Sequence, residues 1–143
     1  MKKKLYIVCA LTNLSDQDGK SFLATISNIK QMLRGTFEIL EFIGVDDLKS
    51  ANPISPQEIY EHSIKKSVAE ADYMLAICDY PSIGLGYEIA VAVEKRGIPV
   101  LAVAKKDSQV TRLIRGIDHK NFHFMYYDSA EDIIEKIFKT LTK

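Results

Sequence analysis

The sequence predicts a doubly wound α/β fold, on three observations. Short apolar runs such as Val100-Leu-Ala-Val-Ala104 carry no in/out alternation, which suits parallel strands covered on both sides. Stretches of helical period separate these runs. No long linker, repeat or low-complexity tract interrupts the alternation, so residues 1–143 read as a single domain.

Each element has a local reason. Leu5 to Leu11 is an apolar run suited to a central strand. Lys20 to Leu33 places Phe22, Leu23, Ile26, Ile29, Met32 and Leu33 at helical spacing. After a turn at Gly35, Phe37 to Val45 is the second strand. Ser55-Pro56-Gln57-Glu58 is a capping box with proline at the first helical position, which starts a helix running to about Glu70. Tyr73 to Cys78 is the third strand. Ser82 to Arg96 is the next helix, ended at Gly97. Pro99 to Ala104 is the fourth strand, Val110 to Arg115 a short helix and His123 to Tyr127 the fifth strand. Ser129 caps the last helix, Ala130 to Leu141. The expected strand order is 2-1-3-4-5, the flavodoxin-like or Rossmann-like arrangement with helices on both faces of the sheet. Ligands bind such folds beyond the carboxyl ends of the strands, at the switch between strands one and three. Cys9 to Asn13 and Asp79 to Glu88 belong there.

Bulk properties exclude several classes. Nineteen basic and 19 acidic residues cancel, so no global field favours nucleic acid or an anionic membrane. No run approaches the roughly 20 apolar residues of a membrane span. Lys2-Lys3-Lys4 with the apolar run behind it lacks a convincing small-residue cleavage site. The expectation is a cytoplasmic protein with Cys9 and Cys78 reduced. Two cysteines form no zinc site, and His62, His119 and His123 show no metal-ligand spacing. No metal and no cofactor is implied.

Glu88 is the only formal charge between Tyr80 and Val93. It follows a strand and the glycine-rich turn Pro81-Ser-Ile-Gly-Leu-Gly86, and shares its helix side with Leu85, Val91 and Ala92. Burying a carboxylate is costly unless it is paired, hydrogen-bonded or put to use. Glu88 is therefore a candidate nucleophile or general base, or one half of a structural ion pair. The turn offers exposed amides at a helix N-terminus, where an anion is favoured, or serves helix–strand packing alone. It lacks the lysine of a P-loop and the spacing of a Rossmann fingerprint. Tyr6 is either a core tyrosine or a ligand contact. Asp72 either ends a turn before strand three or takes part in catalysis. Arg112 and Arg115 are solvated or hold an anion.

The segments Ala71-Asp72-Tyr-Met-Leu-Ala, Pro81-Ser-Ile-Gly-Leu-Gly-Tyr-Glu-Ile-Ala90 and Leu113-Ile-Arg-Gly116 together resemble the nucleoside 2-deoxyribosyltransferase family, and within it the 2′-deoxynucleoside 5′-phosphate N-hydrolase branch. The resemblance implies an N-glycosidase or transferase acting on a (deoxy)ribonucleoside or its 5′-monophosphate. It implies that Glu88 attacks C1′ of the sugar and forms a glycosyl-enzyme, resolved by water or a second base. It further implies that Ser82, Gly84 and Gly86 hold the sugar 5′ end or its phosphate, and that Tyr6 lies near the substrate. Thr111 stands where family hydrolases have a serine reaching a neighbouring subunit's phosphate, so a homodimer or higher homo-oligomer with shared active sites is expected. The chain departs from the pattern at named positions. Ile64 replaces a family aspartate eight positions before Asp72, with Glu61 and His62 one turn earlier. Cys9-Ala10 replaces a Gly-Ser pair, Thr12 an arginine of the phosphate-specific branch, and Ala90 a glycine.

Two alternatives stand beside an enzyme. Ile64 favours a non-catalytic nucleotide-binding or sensing module that has lost the general acid. An interaction domain with no small ligand would have a filled, apolar cleft at the strand ends.

Overall fold

The computed structural model describes residues 1–10, 16–43 and 52–142. Leu11, Thr12, Asn13 and Val45, named above, lie outside the described residues. Chain order runs β1 (Lys3–Cys9), α1 (Asp16–Leu33), β2 (Phe37–Leu40), α2 (Pro56–Tyr60), β3 (Tyr73–Ile77), α3 (Ile83–Ala90), β4 (Val100–Lys105), α4 (Arg112–Arg115), β5 (Phe122–Tyr127) and α5 (Ala130–Thr140). Helix α2 continues in π geometry over Glu61–Val68, and α3 does so over Val91–Arg96. The five strands form one sheet in the order β2-β1-β3-β4-β5, every neighbouring pair parallel. The expected topology is the observed one.

Strand side chains alternate between two cores. Leu5, Ile7 and Cys9 of β1 point to the face covered by α1 and α5 and pack with Ile26, Ile29, Ile133 and Ile137. Tyr6 and Val8 point to the other face and pack with Val68, Leu85, Ile89 and Val93. On that second face β3 and β4 present Ala76, Ala102 and Ala104. These small side chains let α3 lie close to the sheet.

Caps mark the helix starts. Ser55 accepts from the Glu58 amide at 3.1 Å with Pro56 at the first turn, and Ser129 accepts from the Asp132 amide at 3.1 Å. Gly97, at φ +65, closes the α3 helix in the left-handed region that favours glycine.

Some boundaries differ from expectation, for physical reasons. Helix α1 starts at Asp16 rather than Lys20, because its first turn is polar and gives no apolar period. Strand β2 ends at Leu40. The next residue, Glu41, turns toward α1 and pairs with Lys30 at 3.4 Å and Arg34 at 3.1 Å. Asp72 accepts from the Lys4 amide at 2.8 Å, and its own amide donates to the Lys4 carbonyl at 2.9 Å. It thus ties the starting ends of β1 and β3, at the opposite end of the sheet from the switch point.

Candidate active site

Tyr6 and Glu88 meet. The phenol of Tyr6, fully buried under α3, donates to Glu88 Oε2 at 2.6 Å. The contact follows from the pattern of the chain. The period of two in β1 turns Tyr6 to the α3 face, and the helix period sets Glu88 beside the buried Leu85 and Ala92. Burial pushes the Glu88 carboxyl above the usual carboxylate range, and the Tyr6 hydrogen bond partly offsets this. Burial and the facing carboxylate push the Tyr6 phenol well above its ordinary range. Among the described residues no Lys or Arg pairs with Glu88, so the structural ion pair is not what holds it.

The two oxygens of Glu88 differ. Oε2 is occupied by Tyr6, whereas Oε1 accepts no hydrogen bond among the described residues. Among them no buried side-chain oxygen lacks a partner, so Oε1 is the accessible one. Asp79, the other half-buried carboxylate at the strand ends, shows the contrast. Its Oδ2 accepts from Tyr127 at 2.5 Å and its Oδ1 from the Lys105 amide at 3.1 Å. Asp79 clamps the ends of β3, β4 and β5, whereas Glu88 keeps one oxygen without a hydrogen bond among the described residues.

Ser82 is the N-cap of α3, with its hydroxyl accepting from the Leu85 amide at 3.2 Å. The glycines of the turn have no internal explanation. A Cβ on Gly86 would meet nothing within 4 Å, and one on Gly84 only Ser82 Oγ at 3.8 Å, an ordinary contact. Neither residue has a positive φ. Each glycine in a helix costs about 1 kcal/mol relative to alanine. What the glycines preserve is open space at the helix surface.

Helix α3 divides the expected site between two faces. Gly84 and Glu88, four apart, share one face. Gly86 and Ala90 share another, which lines a groove of about 530 Å³ together with Ser82 and Thr111. Glu88 and Tyr6 line none of that groove. Thr111 caps α4, its hydroxyl accepting from the Leu113 amide at 3.3 Å. So the structure brings together Tyr6 with Glu88, and Ser82 with Gly86 and Thr111. Among the described residues Thr111 lines that groove and Glu88 does not.

The candidates offered in place of the family aspartate turn elsewhere. Glu61 is exposed and pairs with Lys65 at 2.8 Å; His62 bonds the Glu41 carbonyl at 2.8 Å. Ile64 is partly buried against the α3-face core. Ser63, which lies between them and Ile64 in sequence, is buried. Sequence reading missed it. Cys9 and Ala10 are buried at the end of β1. Arg115 donates to the Val110 carbonyl at 3.0 Å from an exposed position. Among the described residues no group of three or more His, Cys, Asp or Glu side chains could hold a metal ion. No helix among them is long and apolar enough to cross a membrane.

No family model matches the chain. It is 34% identical over 122 residues to Putative 2′-deoxynucleoside 5′-phosphate N-hydrolase 1 of Thermofilum pendens, spanning 82% of this chain and 84% of that one. It is 31% identical over 105 residues to the protein of the same name from Methanococcoides burtonii, spanning 71% and 84%. Among solved structures, Clostridium botulinum CMP N-glycosidase superposes with a TM-score of 0.70 at 17% identity, covering 96% of this chain and 99% of that one. A conserved protein from Enterococcus faecalis V583 gives 0.62 at 21% identity, covering 97% and 99%. At these identities the structural likeness is one of fold alone.

Proposed function

The chain belongs to the 2′-deoxynucleoside 5′-phosphate N-hydrolase family, and from that premise we propose that it cleaves the N-glycosidic bond of a (deoxy)ribonucleoside 5′-monophosphate, or of the nucleoside itself, with Glu88 as nucleophile. The observation that carries the reading is the state of Glu88: a largely buried carboxylate with one oxygen fixed by Tyr6 and the other accessible.

Oε1 attacks C1′ of the sugar as the bond to the base breaks, giving a glycosyl-enzyme ester and the departing base. Water then attacks C1′ and returns Glu88 to its carboxylate. A second base in place of water would make the same site a transferase. Tyr6 holds the carboxylate in one rotamer through both steps. The 5′ end of the substrate sits against the start of α3, where the open space at Gly84 lets it approach backbone amides. Two copies of the chain pack through the groove beside Gly86, and Thr111 from one copy reaches the site of the other. The exposure of Ile83 at 96% and Leu113 at 80% beside that groove supports this pairing.

The test is incubation with a panel of nucleosides and their 5′-monophosphates, with free base followed by chromatography. Glu88→Gln is expected to abolish base release while the fold stays intact. Unchanged turnover in that variant overturns the proposal. A second reading, the binding or sensing module, is favoured by Ile64, since no second carboxylate is found beside Glu88 among the described residues. Tight calorimetric binding of a monophosphate without any free base would establish it instead.

A further inference from the structure

Core packing does not place the turn that carries Ser82, Gly84 and Gly86 into α3. Cys78 before it and Leu85 inside the helix are buried, and none of residues 79–84 between them is. The turn stands as a wall between two grooves. Tyr80, Pro81, Ser82 and Ile83 border the apolar groove of about 530 Å³. Asp79 and Tyr80 border a polar groove of about 480 Å³ between α1 and the start of α5. A segment with open space on both sides keeps its position only through the few contacts that tie it down.

Those contacts converge on Asp79. Among the described residues, the hydrogen bonds joining residues 79–84 to the neighbouring strands are the two made by the Asp79 carboxylate. Oδ1 accepts from the amide of Lys105, the last residue of β4, at 3.1 Å. Oδ2 accepts from the phenol of Tyr127, the last residue of β5, at 2.5 Å. Strand β5 lies two places from β3, so one side chain ties the turn to both strands beyond it. The Tyr127 carbonyl accepts from the Lys106 amide at 3.1 Å, which joins those two strand ends to each other. Next to Asp79, the Tyr80 ring meets Phe22 of α1 edge-on with centroids 5.2 Å apart, and Pro81 fixes the following φ. Ser82 then caps α3.

We propose that Asp79 is a positioning residue for the 5′ end of the substrate: its bonds to Lys105 and Tyr127 hold the turn where the first amides of α3 meet that end. The assignment rests on the reading that the 5′ end lies at the start of α3. Asp79 itself touches no substrate, and its charge opposes a phosphate nearby. What the position needs is hydrogen bonding rather than charge. Asparagine supplies it, with an oxygen to accept from Lys105 and an amide group to donate to the Tyr127 oxygen. Glu88 is held separately by Tyr6, so losing Asp79 disturbs binding of the 5′ end before it disturbs attack on C1′.

The experiment compares Asp79→Ala, Asp79→Asn and Asp72→Ala. Asp72 accepts from the Lys4 amide at the opposite end of the sheet, and serves as the control for losing a carboxylate clamp. Two readouts are taken. One is kcat and KM for a nucleoside 5′-monophosphate and for its parent nucleoside; the other is amide hydrogen exchange of residues 80–86 in the free protein, which needs no turnover. In Asp79→Ala, exchange in that segment is expected to quicken about tenfold. KM for the monophosphate rises roughly five- to tenfold, with kcat within about twofold and the nucleoside affected less. Asparagine restores both readouts, and Asp72→Ala leaves both at wild type. Should Asp79→Ala fail to fold, Tyr127→Phe removes one of the two bonds while keeping the ring, and is expected to give the same changes at smaller size. Wild-type KM in Asp79→Ala, or an equal loss on both substrates, overturns the positioning role, as does a matching rise in Asp72→Ala. Unchanged KM for the monophosphate in Gly84→Ala instead overturns the placement of the 5′ end beneath it.

Discussion

Tyr6→Phe removes one oxygen and leaves the ring in place. Tyr6 is 0% exposed, and phenylalanine fits the same space, so packing is conserved. What disappears is the donor at 2.6 Å from Glu88 Oε2. A hydrogen bond to a charged acceptor contributes about 1.5–3 kcal/mol, against about 1 kcal/mol between neutral groups. With Glu88 ionised the variant is therefore destabilised by about 2 kcal/mol, or roughly 6–8 °C in Tm for a chain of this size. With Glu88 protonated the loss is about half that. The sign in pH follows. The Tyr6 bond lowers the Glu88 pKa against the burial that raises it, so without the phenol the carboxyl holds its proton to higher pH. The acidic limb of kcat/KM moves up, and the Tm gap to wild type widens from pH 5 to pH 8. Thermal unfolding at both values, together with the pH profile of base release, measures the two effects. A Tm gap that is equal at both pH values, with an unmoved acidic limb, refutes a charge-assisted bond between Tyr6 and Glu88.

Three other expectations rest on separate observations. Because the folded pKa of Glu88 is raised, the stability tied to its protonated form is full below the ordinary carboxylate range and is lost as pH rises through the folded value. Glu88→Gln should therefore show a higher Tm than wild type at pH 7.5, the difference vanishing toward pH 4 in calorimetric scans. Gly84→Ala adds a Cβ whose only neighbour is Ser82 Oγ at 3.8 Å; it is expected to stabilise the fold by up to about 1 kcal/mol while raising KM for a monophosphate about tenfold, read from steady-state kinetics. Gly97→Ala forces a side chain to φ +65, costing about 1–2 kcal/mol in unfolding titrations with KM unchanged.

The fold was legible because parallel sheets advertise themselves. The central strands β1, β3 and β4 are buried on both faces, and their continuous apolar runs admit few other readings. The half-buried setting of Glu88 was legible for the complementary reason: a lone charge in an apolar helix stands out. Strand β2 was overread, because Phe42 and Ile43 prolong its apolar pattern although the strand ends at Leu40, where Glu41 pairs with Lys30 and Arg34. The burial of Ser63 stayed hidden because sequence counting assumes 3.6 residues per turn. A π segment inserts one residue into that count, and nothing in Glu61–Val68 reports the change. Serine inside a helical pattern reads as solvated surface, and only the register shift turns it inward.

The groove beside Gly86 completes the argument about α3, because its two faces predict separable defects. Gly84 and Glu88 lie on the side that meets Tyr6, while Gly86 and Ala90 line the groove with Thr111. If a second copy covers that groove, Ala90→Arg places an unpaired charge in a desolvated contact and separates the copies. Sedimentation should then show a monomer, with the Tm of the isolated chain little changed because Ala90 is exposed within it. Activity should fall as well, since each site loses the partner's Thr111. Mixing Glu88→Gln with Thr111→Val tests the same geometry from the other direction. Each parent carries one defect in every site, whereas a mixed pair assembles one site with both residues intact. Recovery of base release on mixing supports sites shared across copies. A fully active Ala90→Arg monomer would mean that each chain completes its own site, with the groove playing no part in the chemistry.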